Sequence, residues 1–134
     1  MRSALRTQIE ERARGLCEYC HAPQRVCGYH FHLEHIIPRA KGGEDGLSNR
    51  ALACASCNLA KTDKVSSVDP LTKEEVPLFD PRIHVWRNHF RWADDQQTLE
   101  GLTPIGRATI AALNMNSQLR KEARQLWFSL GMLP

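Results

Sequence analysis

Cys17-Glu18-Tyr19-Cys20 and Cys54-Ala55-Ser56-Cys57-Asn58-Leu59-Ala60-Lys61 bracket a central run, Phe31-His32-Leu33-Glu34-His35-Ile36-Ile37-Pro38. Two Cys-x-x-Cys knuckles in one short chain are the pattern of a tetrahedral thiolate site. Each tight turn brings two sulfurs to one ion, and four thiolates suit Zn²⁺. With no open position, such a site is structural and not catalytic. The spacer between Cys20 and Cys54 is longer than in an ordinary zinc ribbon, and an inserted hairpin accounts for it. The competing reading is a redox dithiol, but the strand–helix setting of thioredoxin is lacking and two pairs favour the metal. Five cysteines is an odd number, against a fully paired disulfide framework. Cys27 is left over and reads as a small buried apolar residue.

Working outward, Val26 to His35 is strand-like, with Tyr29, Phe31 and Leu33 alternating with Gly28, His30 and His32. Pro38 and Gly42-Gly43 break the chain into a loop. Arg50 to Cys54 suits a returning strand, and Asn58 to Lys61 a short helix or helix start. Upstream, Leu5 and Ile9 mark one face of an amphipathic helix over Ser3–Ala13, stopped near Gly15 and leaning on the zinc site.

Phosphodiester hydrolysis needs an activated water, neutralised phosphate charge and help for the leaving oxygen. An imidazole, with an ordinary pKa near ~6.5, takes a proton from water at neutral pH. A hard divalent cation on carboxylate and amide oxygens binds phosphate and stabilises the leaving alkoxide. Glu34, His35 and Asn58 are the residue types for that work. Adjacent strand residues face opposite ways, so Glu34 and His35 converge only if the strand ends or bulges there. Ile36-Ile37-Pro38 allows such an ending.

Cys17-x-x-Cys20, Glu34-His35-Ile36-Ile37-Pro38, Gly42-Gly43, Asn49, Cys54-x-x-Cys57-Asn58 and Lys61 together resemble the zinc-bearing kind of HNH endonuclease. The resemblance implies an α+β chain with a ββα-metal (HNH) core on a four-cysteine zinc site. It also implies cleavage of DNA with one divalent ion. By position, Glu34 matches the acidic metal ligand, more often aspartate in that family, and His35 the general base. Asn49 matches the asparagine that holds the loop and orients the histidine. Asn58 matches the last metal ligand, where other members have histidine. Around them, His32, Arg39, Lys41 and Lys61 suit phosphate contacts. Each has a plainer reading: His30 and His32 as packed histidines, Asn49 as a turn residue, Asn58 as a helix cap, Gly42-Gly43 as a flexible loop, the cations as solvated surface. The catalytic ion is Mg²⁺ or Mn²⁺ by its oxygen ligands, with Ni²⁺ or Zn²⁺ admitted by a nearby imidazole.

Beyond the core, Val65–Arg82 shows no period and reads as a wrapping loop, with Val76, Leu78 and Phe79 needing burial and Pro77 against a central strand. Trp86 and Phe90 share a helical turn, or Phe90 and Trp92 begin a strand. Asp94-Asp95-Gln96-Gln97 is a hairpin tip. Thr103-Pro104 starts a helix. Ser117 caps a last one, with Leu119, Ala123, Leu126, Trp127 and Leu130 on its inner face and Gly131 at its end. From Asp80 onward the chain resembles C-terminal extensions of small bacterial HNH proteins. That gives a nuclease core over 1–65 and an extension with a mixed hairpin and helices over 66–134, packed on it.

The 134 residues carry a net charge of +3, which permits nucleic-acid binding without demonstrating it. No stretch approaches the roughly 20 apolar residues of a membrane span, and the N-terminus lacks a signal-like run, so a cytoplasmic location is expected. DNA is the expected partner. The alternatives are a zinc-stabilised nucleic-acid-binding module without cleavage, and a protein-interaction domain on the same scaffold.

Overall fold

The computed structural model describes residues 3–132, so the outermost ends of both expected segments lie outside the described residues. The chain divides into two compact units, Met1–Lys64 and Val65–Pro134. Among the described residues no helix is long and apolar enough to cross a membrane.

In the first unit, α1 (Ala4–Ala13) starts where Ser3 accepts from the Arg6 amide, and ends on Arg14 in the left-handed region. It buries Ile9, Glu10 and Ala13. The expected long strand from Val26 is not formed. Gln24–Cys27 is a helical turn, α2, closed by Gly28 at φ 80°. Tertiary hydrogen bonds override the alternation there. The buried Glu10 carboxylate accepts from Gln24 Nε2 at 2.8 Å, and Gln24 Oε1 accepts from the Phe31 amide at 2.8 Å. The strand proper, β1, is only His32–His35.

β1 pairs antiparallel with β2 (Arg50–Ala53), with His32 opposite Ala53, Glu34 opposite Ala51 and His35 opposite Arg50. Ala51, Leu52 and Ala53 are fully buried. Between the strands, Gly43 packs against the chain and does not offer bare backbone to a ligand. A Cβ there would collide with the Ile37 carbonyl and lie 2.8 Å from Asn49 Nδ2. Helix α3 (Ala55–Lys61) begins earlier than expected, because Cys54 is its cap and accepts from the Cys57 amide. Asn58 therefore lies inside the helix and is not its cap.

The second unit opens with a hairpin, β3 (Ser66–Val68) and β4 (Glu75–Pro77), in place of the expected loop. Asp69 builds its turn: its carboxylate accepts from the Leu71 amide and the Thr72 hydroxyl. A two-stranded ribbon tolerates Pro77 at its end, since no further strand needs its N–H. Leu78 and Phe79 are buried as expected. The run from Trp86 takes both expected forms in turn, α4 (Trp86–His89) and then β5 (Phe90–Trp92), which pairs with β6 (Leu99–Gly101). Asp95 closes the tip between them by accepting from the Gln97 and Thr98 amides and the Thr98 hydroxyl.

Thr103 caps α5 (Pro104–Ala112) and Ser117 caps α6 (Gln118–Ser129). The expected inner face of α6 holds only in part, with Ala123 and Trp127 half-buried. Leu119, Leu126 and Leu130 are exposed, and Arg124 is the buried residue. Its guanidinium donates to the carbonyls of Gln97 and Met115 and lies 5.6 Å over the Trp92 ring. Carbonyls at a helix end and a hairpin tip need donors, and the flat, multiply donating Arg supplies them while stacking.

Candidate functional site

The four knuckle cysteines come together. Sulfurs of Cys17, Cys20, Cys54 and Cys57 all lie within 4.8 Å of one another, all four residues buried, and Cys20 and Cys54 sulfurs are 3.7 Å apart. A tetrahedral site with Zn–S of about 2.3 Å requires sulfurs about 3.8 Å apart, so the cluster fits a structural zinc. Burial pushes the Cys17 thiol well above its ordinary value, while a hydrogen bond from Cys17 pulls Cys54 down. Four crowded, buried thiols do not ionise together without a cation, and Zn²⁺ balances that charge.

The knuckles also grip the strand pair. Glu18 donates its amide to Leu52 O at 2.8 Å and accepts from Leu52 N at 2.9 Å through Oε1. Tyr19, fully buried within the first knuckle, donates its hydroxyl to Glu34 Oε1 at 2.7 Å. Lys61, at the end of α3, brings Nζ to 3.3 Å from Glu34 Oε2 and donates to Ile36 O at 2.9 Å. Glu34 is thus clasped from both knuckles and is 7 % exposed. Burial raises its carboxyl pKa, against the pull of Lys61 and Tyr19. The Lys61 attraction is of charge and not of hydrogen-bond geometry: Oε2 remains a buried acceptor without a hydrogen-bond donor among the described residues. This corrects the reading of Lys61 as a phosphate contact. Its ammonium is 1 % exposed and spent inside the protein.

β1, the loop after it and α3 line one cleft of ≈ 470 Å³ with His32, Leu33, Glu34, His35, Pro38, Arg39, Asn58 and Thr62. Glu34 and His35 reach the same cleft because β1 ends at His35 and the chain bends at Ile36-Ile37. His32 is exposed, and among the described residues its ring and the Asn58 side-chain amide carry no hydrogen bond. A carboxylate satisfied on one side and a free amide oxygen are hard donors that fit a divalent cation. Lys41 does not line the cleft; its Nζ donates to Asp63 O at 2.9 Å.

Asn49 is buried away from the cleft. Its side chain accepts from Ile37 N at 2.9 Å and donates to Ile37 O and Glu44 O, clamping the loop. It makes no hydrogen bond to His35. That contact comes from Asp45, in the loop after Gly42-Gly43, to which the sequence reading gives no role. His35 Nε2 and Asp45 Oδ1 are 2.8 Å apart, and Arg39 Nε donates to the same oxygen at 2.7 Å. Hydrogen bonds from Arg39 and His35 pull the Asp45 carboxyl down to about 2. Thr62 is likewise absent from the sequence reading. It is a β-branched residue at φ 50° on the cleft wall, a strained conformation of the sort that collects at functional sites.

No curated protein and no solved structure matches the chain. A family model does: residues 17–64 match the one described as HNH endonuclease. That span holds both knuckles, the strand pair and the cleft, and so joins a metal site to the expectation of nuclease chemistry. Over residues 17–64, the part of the chain that carries the knuckles and the cleft, the protein is similar to the HNH endonuclease family.

Proposed function

We propose that the protein is a metal-dependent endonuclease that hydrolyses DNA phosphodiester bonds. His35 is the general base, and Glu34 and Asn58 hold one divalent ion, Mg²⁺ or Mn²⁺. The observation that supports this most is the single cleft lined by His32, Glu34, His35, Arg39 and Asn58 within the matched segment. An ion on those two oxygens would supply electrophilic stabilisation of the phosphate charge and of the leaving alkoxide. The protein's own groups do the rest. His35 accepts the proton of the attacking water. Arg39, 68 % exposed and tied to Asp45 only through Nε, turns its remaining donors to phosphate. His32, on the cleft wall, is the second phosphate contact. Asn49 holds the loop that carries Asp45.

A second reading is a zinc-stabilised nucleic-acid-binding module without cleavage. It draws on the Glu34–Lys61 pair, which balances the Glu34 charge without a metal. Supercoiled plasmid incubated with the protein and Mg²⁺ or Mn²⁺ separates the two. The nuclease gives nicked product that depends on added ion. His35→Ala lowers its rate by about 10²–10⁴, not restored by more ion. Asn58→Ala recovers part of its loss as ion is raised. Near-native cleavage by His35→Ala sinks the assignment of the base, and plasmid binding by the native protein with no ion-dependent product favours the module.

A further inference from the structure

The pairing of His35 with Asp45 assigns a task to a residue that the proposed reaction has not yet used. We infer that Asp45 is a positioning residue for His35: its carboxylate holds Nε2 as the protonated ring nitrogen and leaves Nδ1 as the proton acceptor. The inference rests on the nuclease reading for its consequence, but not for its geometry.

A carboxylate offers no proton, so the hydrogen in the 2.8 Å contact belongs to His35 Nε2. A neutral imidazole has one N–H, and placing it on Nε2 makes Nδ1 the acceptor. Among the described residues Nδ1 carries no hydrogen bond, and the ring lines the cleft. Asp45 itself does not line it. The carboxylate therefore engages the ring from outside the reaction space, as an orienting group should.

The plainer reading is a surface ion pair of little consequence, since the Asp45 side chain is 61 % exposed. Three features of the loop tell against it. Arg39 shares the same oxygen as His35, so the acceptor is held from two directions. Arg50 Nε donates to the Asp45 carbonyl at 3.0 Å while its Nη1 donates to Leu33 O at 2.9 Å, tying the backbone of Asp45 to β1. One residue earlier, Asn49 Nδ2 holds Glu44 O at 2.7 Å. The backbone around Asp45 is thus fixed at two consecutive residues, and one of the anchors, Arg50, also holds the strand that carries His35. A free surface aspartate has no such frame.

The test reads the tautomer directly. In ¹⁵N-labelled, zinc-loaded protein, long-range ¹H–¹⁵N correlations of the His35 ring, taken where it is neutral, should show the proton on Nε2. Asp45→Ala should relax this to a mixture of tautomers and lower kcat about tenfold, less than loss of the base itself, with KM within about twofold. Asp45→Glu, which keeps the carboxylate, should recover part of both. A native ring protonated on Nδ1 overturns the inference without any variant. So does an Asp45→Ala protein whose tautomer is unchanged, or whose kcat is unchanged while His35→Ala is inactive. If instead His35→Ala cleaves normally, the nuclease role of His35 falls, and the tautomer result still decides whether Asp45 orients the ring.

Discussion

Glu34 in the first unit and Asp69 in the second are both buried carboxylates facing a cation, and the two are treated in opposite ways. In the second unit, Asp69 is wholly buried and every lone pair has work: Arg107 donates to both oxygens at 2.9 Å, and Leu71 N and the Thr72 hydroxyl fill the rest. Its carboxyl is held far below the ordinary range, chiefly by the Arg107 hydrogen bonds. In the first unit, Glu34 has one oxygen satisfied by Tyr19 and the other left with Lys61 nearby but no hydrogen bond. Burial dominates, and its pKa is raised. A fully satisfied buried carboxylate is a structural fastener. One that is half satisfied, beside a cleft, retains a lone pair for a ligand. The difference lies in the number and aim of donors, not in depth.

The largest expected effect concerns the frame that presents Glu34. Cys54→Ser removes one thiolate from the zinc site, while the serine hydroxyl can still cap α3, so its effect reads the metal site. Structural zinc commonly contributes on the order of 10 kcal/mol, so this variant should be insoluble or lack a folded first unit. Elemental analysis of native protein purified without chelator should find one zinc per chain; none at all would end the zinc assignment.

Next, Glu34→Ala leaves Lys61 buried without its partner, which typically costs about 3–5 kcal/mol. Thermal melts should show that loss. If Glu34 also holds the ion, cleavage by this variant should recover partly as Mn²⁺ is raised. A variant that melts low yet cleaves with native ion dependence would make Glu34 a fastener like Asp69.

Asp69→Asn should weaken the second unit with no change in the ion dependence of cleavage. Its pH dependence follows from the sign of the shift. A carboxyl with a depressed folded pKa stabilises above its unfolded value, near ~3.9, and the gain is lost as pH falls toward the folded value. The melting advantage of native protein over Asp69→Asn should therefore be full at pH about 5 and shrink steadily on further acidification. Glu34, with its raised pKa, has the reverse sign: acidification relieves the cost of its buried charge. An advantage that does not shrink in acid would mean Asp69 is not ionised in the fold.

The smallest effect is expected on α6. Leu126 is 60 % exposed, so Leu126→Ser should leave the melt within about 0.5 kcal/mol of native. A larger loss would restore the leucines to an inner face.

What the sequence by itself determined is local, or is carried by residue type at short spacing. The knuckles name their own four ligands, because Cys-x-x-Cys closes a turn without outside help. Thr103 and Ser117 mark helix starts, because a hydroxyl reaches an amide three residues on. Glu34, His35 and Asn58 could be picked out as the residues of one cleft because the motif places them at the end of a strand and on the next helix. Only the tertiary structure decided which polar groups meet across the chain. Arg124 displaced the leucines of α6, since the carbonyls of Gln97 and Met115 lie far from it in sequence and no helical period reports them. Gln24 turned an alternating stretch into a helical turn through Glu10. Lys61 looked like a surface cation until Glu34 on β1 and the Ile36 carbonyl just after it faced it. Asp45 carried no signal of its own until Asn49 and Arg50 fixed the backbone around it. In each case the energy comes from a donor finding a buried or oriented acceptor. Hydrophobic pattern and turn propensity record where a side chain can go, but not which partner waits there.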